Sequence, residues 1–174
     1  GASSGIGYNT VLKLSQYPGT VIAVARNNSL LEKLKSQSIE NKAIARVITT
    51  SLDLTNENSF NELASIVESE LPSLDVIVNN AGVLINKPFQ EISFRELDQT
   101  YRTNLYAPFM LSKQLLPFLL KGNKPQILNI GSMGGVNGTI KFPGLTAYSS
   151  SKGSLSIFSE CLAEELSKFG IRVN

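Results

Sequence analysis

Short apolar runs alternate along this chain with longer segments of helical periodicity, and that alternation leaves few folds open. The apolar runs cover residues 20–25, 43–50, 74–78 and 126–130, and residues 171–173 read as the start of a further one. Between them, residues 29–38, 56–71, 94–120 and 148–169 carry helical spacing. Leu30, Leu31 and Leu34 share a face in the first of these. Phe60, Leu63, Ile66 and Val67 do so in the second, and Leu155, Phe158, Leu162, Leu166 and Phe169 in the last. Strands alternating with helices wind into βαβ units, because a crossover helix is the usual join between parallel neighbours. The expected class is α/β, a doubly wound parallel sheet between two helical layers. No internal repeat, low-complexity tract or linker breaks the pattern, so residues 1–174 are expected to form one domain.

Composition removes several classes of function. The net charge is only +2 and no basic run stands out, which gives nucleic-acid binding no support. The apolar stretches are far short of a membrane span and no signal peptide opens the chain, so no membrane partner and a cytoplasmic location are expected. There is no histidine and only one cysteine, Cys161, expected to be a core thiol. A Ser-His-Asp triad, a histidine–metal centre and a cysteine metal site are excluded, and no metal is expected. Acid–base chemistry then falls to Tyr, Lys, Asp, Glu or Ser.

The chain opens Gly1-Ala2-Ser3-Ser4-Gly5-Ile6-Gly7, followed by a helix-like run to Leu14. Glycines let a dinucleotide's pyrophosphate approach the backbone, and the helix N-terminus that follows favours an anion. Ser3 and Ser4 can add hydroxyl donors. A phosphate loop needs a preceding strand to hold it, and none is present here. The last strand is also cut short, so the chain is expected to be a segment that lacks a first strand and a C-terminal part.

Other candidates sit at strand ends, where open α/β sheets bind ligands. Arg26 follows the run 20–25 with no acidic residue beside it. An acid there would bond the ribose 2′-OH of NAD, whereas an Arg accommodates the 2′-phosphate of NADP. NADP(H) is favoured, with NAD(H) the alternative. Asp53 could accept the adenine amino group; a turn aspartate is the plainer reading. Asn79-Asn80-Ala81-Gly82 ends the next run. Tyr148 and Lys152 are four residues apart, one turn on one helix face. A cation held there favours the phenolate, which would suit Tyr148 to giving and taking protons.

These pieces, with Asn104 and Ser132, occur in an order and at a spacing that resembles the short-chain dehydrogenase/reductase family, core single-domain type. The likeness runs over nearly the whole chain. It implies a Rossmann-like three-layer αβα fold and an NADP(H)-dependent oxidoreductase that interconverts a carbonyl and a hydroxyl on a small or medium organic substrate. Tyr148 would be the acid/base, and Lys152 would tune it and bond the nicotinamide ribose. Ser132 would hold the substrate oxygen, and Asn104 would complete the constellation. Gly1, Ser3, Ser4, Gly5, Ile6, Gly7, Arg26, Asp53, Leu54, Asn79, Ala81 and Gly82 would line the cofactor. The long helices 94–120 and 148–169 would pack in a homodimer or homotetramer, with Phe89, Phe94, Tyr101 and Tyr106 in the core or in subunit contacts.

Pro108 has no N–H for the carbonyl of Asn104, four residues earlier. That carbonyl is expected to take a water leading to Lys152. Ser132 and Tyr148 stand sixteen positions apart, longer than the family's usual spacing, and the extra residues fall around Thr139-Ile140-Lys141. By that resemblance, the insertion would border the substrate side. Two rivals remain: a non-catalytic dinucleotide-binding regulator on the same fold, and an NAD(P)-dependent epimerase or isomerase.

Overall fold

The computed structural model describes residues 1–174, which divide into two compact units, Gly1–Ser59 and Phe60–Asn174. In the first, helix α1 (Gly5–Leu14) precedes strand β1 (Thr20–Ala25), helix α2 (Asn28–Glu40) and strand β2 (Arg46–Ser51). The strands run parallel, with Thr20 opposite Arg46 and Ala25 opposite Ser51. The alternation of β1 turns Ala23 and Ala25 into the core, where they meet Val11 of α1 and Leu31 and Leu34 of α2. Each buried leucine is worth about 1.5–3 kcal/mol. Asn27 starts α2 by accepting the Leu30 N–H on Oδ1 at 3.1 Å.

The second unit takes most of helix α3 (Asn58–Glu70), then β3 (Val76–Asn79), α4 (Phe94–Tyr101), α5 (Ala107–Leu119), β4 (Gln126–Asn129), α6 (Thr146–Ser167) and β5 (Arg172–Val173). Its sheet has the order β3-β4-β5 and is parallel throughout. Ile77 and Ile127 are buried within it, as are Leu111, Leu115 and Leu119 of α5 and Leu155 of α6. Phe60, Leu63 and Val67 of α3 are buried as their spacing predicts.

Residues 94–120 are not one helix. Between α4 and α5 lies a π-helical turn, Arg102–Tyr106, in which the Ala107 N–H bonds the Arg102 carbonyl five residues back. Pro108 explains the break. It cannot supply the next α-type bond, so the ladder widens just ahead of it. Pro108 itself falls in the first turn of α5, where a missing N–H costs least.

Cys161 is exposed, contrary to the expected core thiol. Leu155, Leu162 and Leu166 define the inward line of α6, and at about 100° per residue Cys161 points more than a quarter-turn away from it. Phe89, Phe94 and Tyr106 are exposed as well, which takes them out of the core. Phe169 lies beyond the end of α6 and is also exposed.

Candidate functional site

Tyr148 and Lys152 both lie on α6, one turn apart. Tyr148 is half-buried, whereas Lys152 is only 4% exposed. The Lys152 ammonium donates to the Ile130 carbonyl, at the end of β4, at 2.6 Å. Burial pushes its pKa below the ordinary lysine value. An ammonium carries three N–H donors, so this bond leaves donors to spare in a place that water barely reaches. A Cβ added at Gly82 would stand 3.8 Å from Lys152 Nζ and 3.5 Å from Asn104 Oδ1. Gly82, in the loop after β3, thus lies beside the cation, and a side chain there would crowd it.

Asn104 sits in the π-turn and is fully buried. Its Oδ1 accepts the Val83 N–H at 2.8 Å, and its Nδ2 donates to the Val83 carbonyl at 3.0 Å and to Ser151 Oγ at 2.9 Å. Ser151 Oγ in turn donates to the Tyr148 carbonyl at 2.7 Å. The amide therefore ties the loop after β3 to the first turns of α6.

Ser132 begins a 3-10 turn, Met133–Gly135, and its Oγ accepts the Gly134 N–H at 3.2 Å. That turn is pressed onto α6. A Cβ on Gly135 would lie 2.6 Å from the Lys152 carbonyl carbon and 2.7 Å from the Gly153 nitrogen; one on Gly134 would lie 2.8 Å from Ser149 Oγ. Ser132, Asn104 and the Tyr148–Lys152 turn are thereby gathered around the start of α6.

Asn79, expected to line the cofactor, ends β3. It is buried, opposite Asn129 in the ladder, and its Nδ2 donates to Asn129 Oδ1 at 2.8 Å. Asn129 Nδ2 donates to Ser159 Oγ at 2.8 Å, linking the strand ends to α6. The Asn79 carbonyl accepts the Ile130 N–H at 3.0 Å. Ala81 is half-buried and Gly82 exposed in the loop that follows.

In the first unit, Gly5 opens α1 with φ +56°, and nothing stands within 4 Å of where its Cβ would be. Ser4 makes no side-chain cap, unlike Asn27 on α2. The first N–H groups of α1 are left for an anion, and the open space over Gly5 suits a phosphate. Ser3 is half-buried, Ile6 is exposed and Gly7 is buried. The Ala2 N–H is bonded to the Val24 carbonyl at 3.0 Å, which fixes the loop to β1.

Arg26 is exposed at the end of β1, with its carbonyl taking Ser51 Oγ at 2.9 Å. Asp53 Oδ1 accepts the Thr55 N–H at 3.0 Å and Thr55 Oγ1 at 2.8 Å, so that oxygen makes the turn and the other is left for a ligand. The Thr55 main-chain bond, its hydroxyl and the Arg26 charge hold the Asp53 carboxyl below its usual value. Leu54 is half-buried beside it.

The sequence did not mark Ser151, Gly135, Gly153, Asn129 or Ser159. The Lys152-Gly153 step was a usable signal, since a glycine inside a helix often marks a close approach. The polar partners join positions 30 to 50 residues apart, and no local pattern pairs them.

The family model for short chain dehydrogenase matches residues 1–174. The chain is 33% identical over 171 residues to the uncharacterized oxidoreductase YusZ of Bacillus subtilis (strain 168), covering 98% of this chain and 59% of that one. It is 37% identical over 123 residues to cyclopentanol dehydrogenase of Comamonas sp., covering 71% of this chain and 48% of that one. It thus spans about half the length of these curated relatives. A solved metagenomic short-chain oxidoreductase in complex with NADP superimposes with a TM-score of 0.90 at 29% identity, covering 100% of this chain and 76% of that one. With its Rossmann-like α/β fold, this chain belongs to the short-chain dehydrogenase/reductase family.

Proposed function

We propose that this chain is the catalytic core of an NADP(H)-dependent oxidoreductase that interconverts a carbonyl and a hydroxyl on a small or medium organic substrate. One observation carries the reading. Lys152 is a buried ammonium, bonded to the Ile130 carbonyl and facing no carboxylate, on the helix face that also carries Tyr148. A buried cation without a counter-charge is costly, and a purely structural lysine has no need to be there. Its spare donors suit the hydroxyls of a nicotinamide ribose.

Bound NADP(H) supplies or takes up the hydride at the carbonyl carbon. The phenol of Tyr148 gives its proton to the carbonyl oxygen in reduction and recovers it in oxidation. Ser132 Oγ already accepts from Gly134, so its own hydrogen is left to donate to that oxygen and steady its developing charge. The Asn104 side chain is committed to Val83 and Ser151, so it positions the site while its carbonyl, unserved by Pro108, holds the water expected to lead to Lys152. The loop from Gly1 to Gly7 takes the pyrophosphate. Arg26 takes the 2′-phosphate, Asp53 the adenine amino group, and Leu54, Ala81 and Gly82 give apolar or backbone contact. Asn79 holds the strand ends beside Ala81 and Gly82. The exposed rings of Phe94, Tyr106 and Phe109 suit the helices α4 and α5 to a homodimer or homotetramer.

The test is NADPH oxidation by the full-length protein across a panel of ketones and aldehydes, with Tyr148→Phe as control. Turnover by the wild type and its loss in the variant are expected. Undiminished turnover in Tyr148→Phe would sink the mechanism. Isomerised product without net NADPH consumption would show the epimerase reading to be right.

A further inference from the structure

We propose that Lys141 is a positioning residue, whose ammonium clamps the turn that Ser132 begins and so sets the aim of the Ser132 hydroxyl. This rests on the reaction proposed above. Lys141 lies in the stretch by which the interval between Ser132 and Tyr148 is lengthened. Its Nζ donates to the Gly134 carbonyl at 2.9 Å, to Thr139 Oγ1 at 3.0 Å and, by a short bond, to the Val136 carbonyl. An ammonium has three N–H donors, and all three are spent. Lys141 is therefore not free to greet a ligand, in contrast to Lys152.

Thr139 completes the clamp. Its Oγ1 lies 2.8 Å from the Met133 carbonyl and 2.9 Å from the Val136 carbonyl. The carbonyls of Met133, Gly134 and Val136 are thus held by two side chains of the inserted stretch. The other side of the turn is fixed by the close packing of Gly134 and Gly135 on α6. A turn with two adjacent glycines has much backbone freedom to lose, so it needs restraint from outside itself.

Apolar burial does not supply that restraint. Ile140 is 83% exposed and Phe142 65% exposed, so the insertion has no apolar anchor on the turn. Its hold is polar and runs through Lys141 and Thr139. At the far end of the loop, the Lys87 N–H bonds the Gly144 carbonyl at 2.9 Å, which ties the stretch to the β3 loop. The extra residues therefore brace the catalytic turn through its carbonyls, in addition to its packing on α6.

The test uses the full-length protein and three variants. Lys141→Met keeps the stem and removes the donors, Lys141→Arg keeps the charge, and Thr139→Val removes the hydroxyl. Two quantities are read: amide hydrogen exchange in the segment 132–136, and steady-state kinetics on a carbonyl from the panel. In Lys141→Met, exchange should quicken and kcat should fall roughly ten- to hundredfold, the scale of a small misplacement, while the KM for NADPH holds. Lys141→Arg should recover part of both. Unchanged exchange in Lys141→Met overturns the clamp. Faster exchange with unchanged kcat overturns the positioning role. Should Lys141→Met fail to fold, Thr139→Val decides by the same two readings. A wild type that turns over no carbonyl would sink the reading of the site, and the positioning role with it. The exchange measurement would still decide the clamp separately.

Discussion

The side-chain amide of Asn104 takes hold of both main-chain polar groups of Val83, accepting from its nitrogen at 2.8 Å and donating to its oxygen at 3.0 Å. Such pairing imitates a strand ladder with a side chain. Asn104→Asp keeps the size but loses the donor. It would leave the Val83 carbonyl and Ser151 Oγ unserved beside a carboxylate. The expected loss is about 1–3 kcal/mol of stability, with a fall in turnover, checked by urea denaturation and kinetics. Asn104→Asp with wild-type stability would refute the clamp.

The turn under Ser132 depends on two glycines to unequal degrees. A Cβ on Gly135 meets backbone, at 2.6 and 2.7 Å, and neither helix nor turn can yield cheaply. The one tight contact of a Cβ on Gly134 is a hydroxyl, Ser149 Oγ at 2.8 Å, which can rotate away. Gly135→Ala should therefore cost about 1–3 kcal/mol and lower turnover by shifting Ser132, with Gly134→Ala milder on both counts. Thermal melts and kcat of the two variants, side by side, check the ranking.

The proposed preference for NADP(H) rests on Arg26. The wild type should bind NADPH more tightly than NADH, by roughly ten- to hundredfold for a charge-assisted phosphate contact. Arg26→Asp should reverse the order, and it also sets a like charge near Asp53. Fluorescence titration with both nucleotides reads the result, and a wild type that prefers NADH would dispose of the assignment.

Glu96 links stability to acid. Its carboxylate takes the Ser93 hydroxyl at 2.7 Å and the Ser93 N–H at 2.8 Å, and pairs with Lys87 at 3.0 Å. The Ser93 bonds and then Lys87 lower its pKa from 4.5 to about 2. A carboxyl depressed on folding adds stability that is present above its unfolded pKa and is lost as pH falls through the folded one. The advantage of wild type over Glu96→Gln should hold at neutral pH and shrink between pH 4.5 and about 2. Denaturation midpoints across that range test it.

Much of this was legible before any coordinates. The run 20–25 coincides with β1, because an unbroken apolar, partly β-branched stretch between polar turns leaves little choice. Tyr148 and Lys152 share α6, as their spacing requires. The misreadings have physical causes. Helical periodicity continues through residues 94–120, so it conceals the place where the ladder changes pitch. Pro108 marked the place but not the form of the change. The Asn79–Asn129 bond joins positions 50 residues apart, which no local pattern pairs. Cys161 is expected on the apolar side of α6, but the angle that the leucines define turns it outward.

The π-turn at Arg102–Tyr106 implies that chain length is itself a design variable of the site. A ladder bonded five residues back holds one residue more than an α-helical turn would. Deleting one residue there, Thr103 for instance, would take out that extra residue, while Pro108 would still withhold its N–H from the ladder. The part before the deletion would then turn by about 100° relative to the part after it. Every other side chain could be kept in kind, yet Ser93, Glu96 and Thr100 would face new neighbours. A census of residue types along this helix would miss that change, which only the number of residues records.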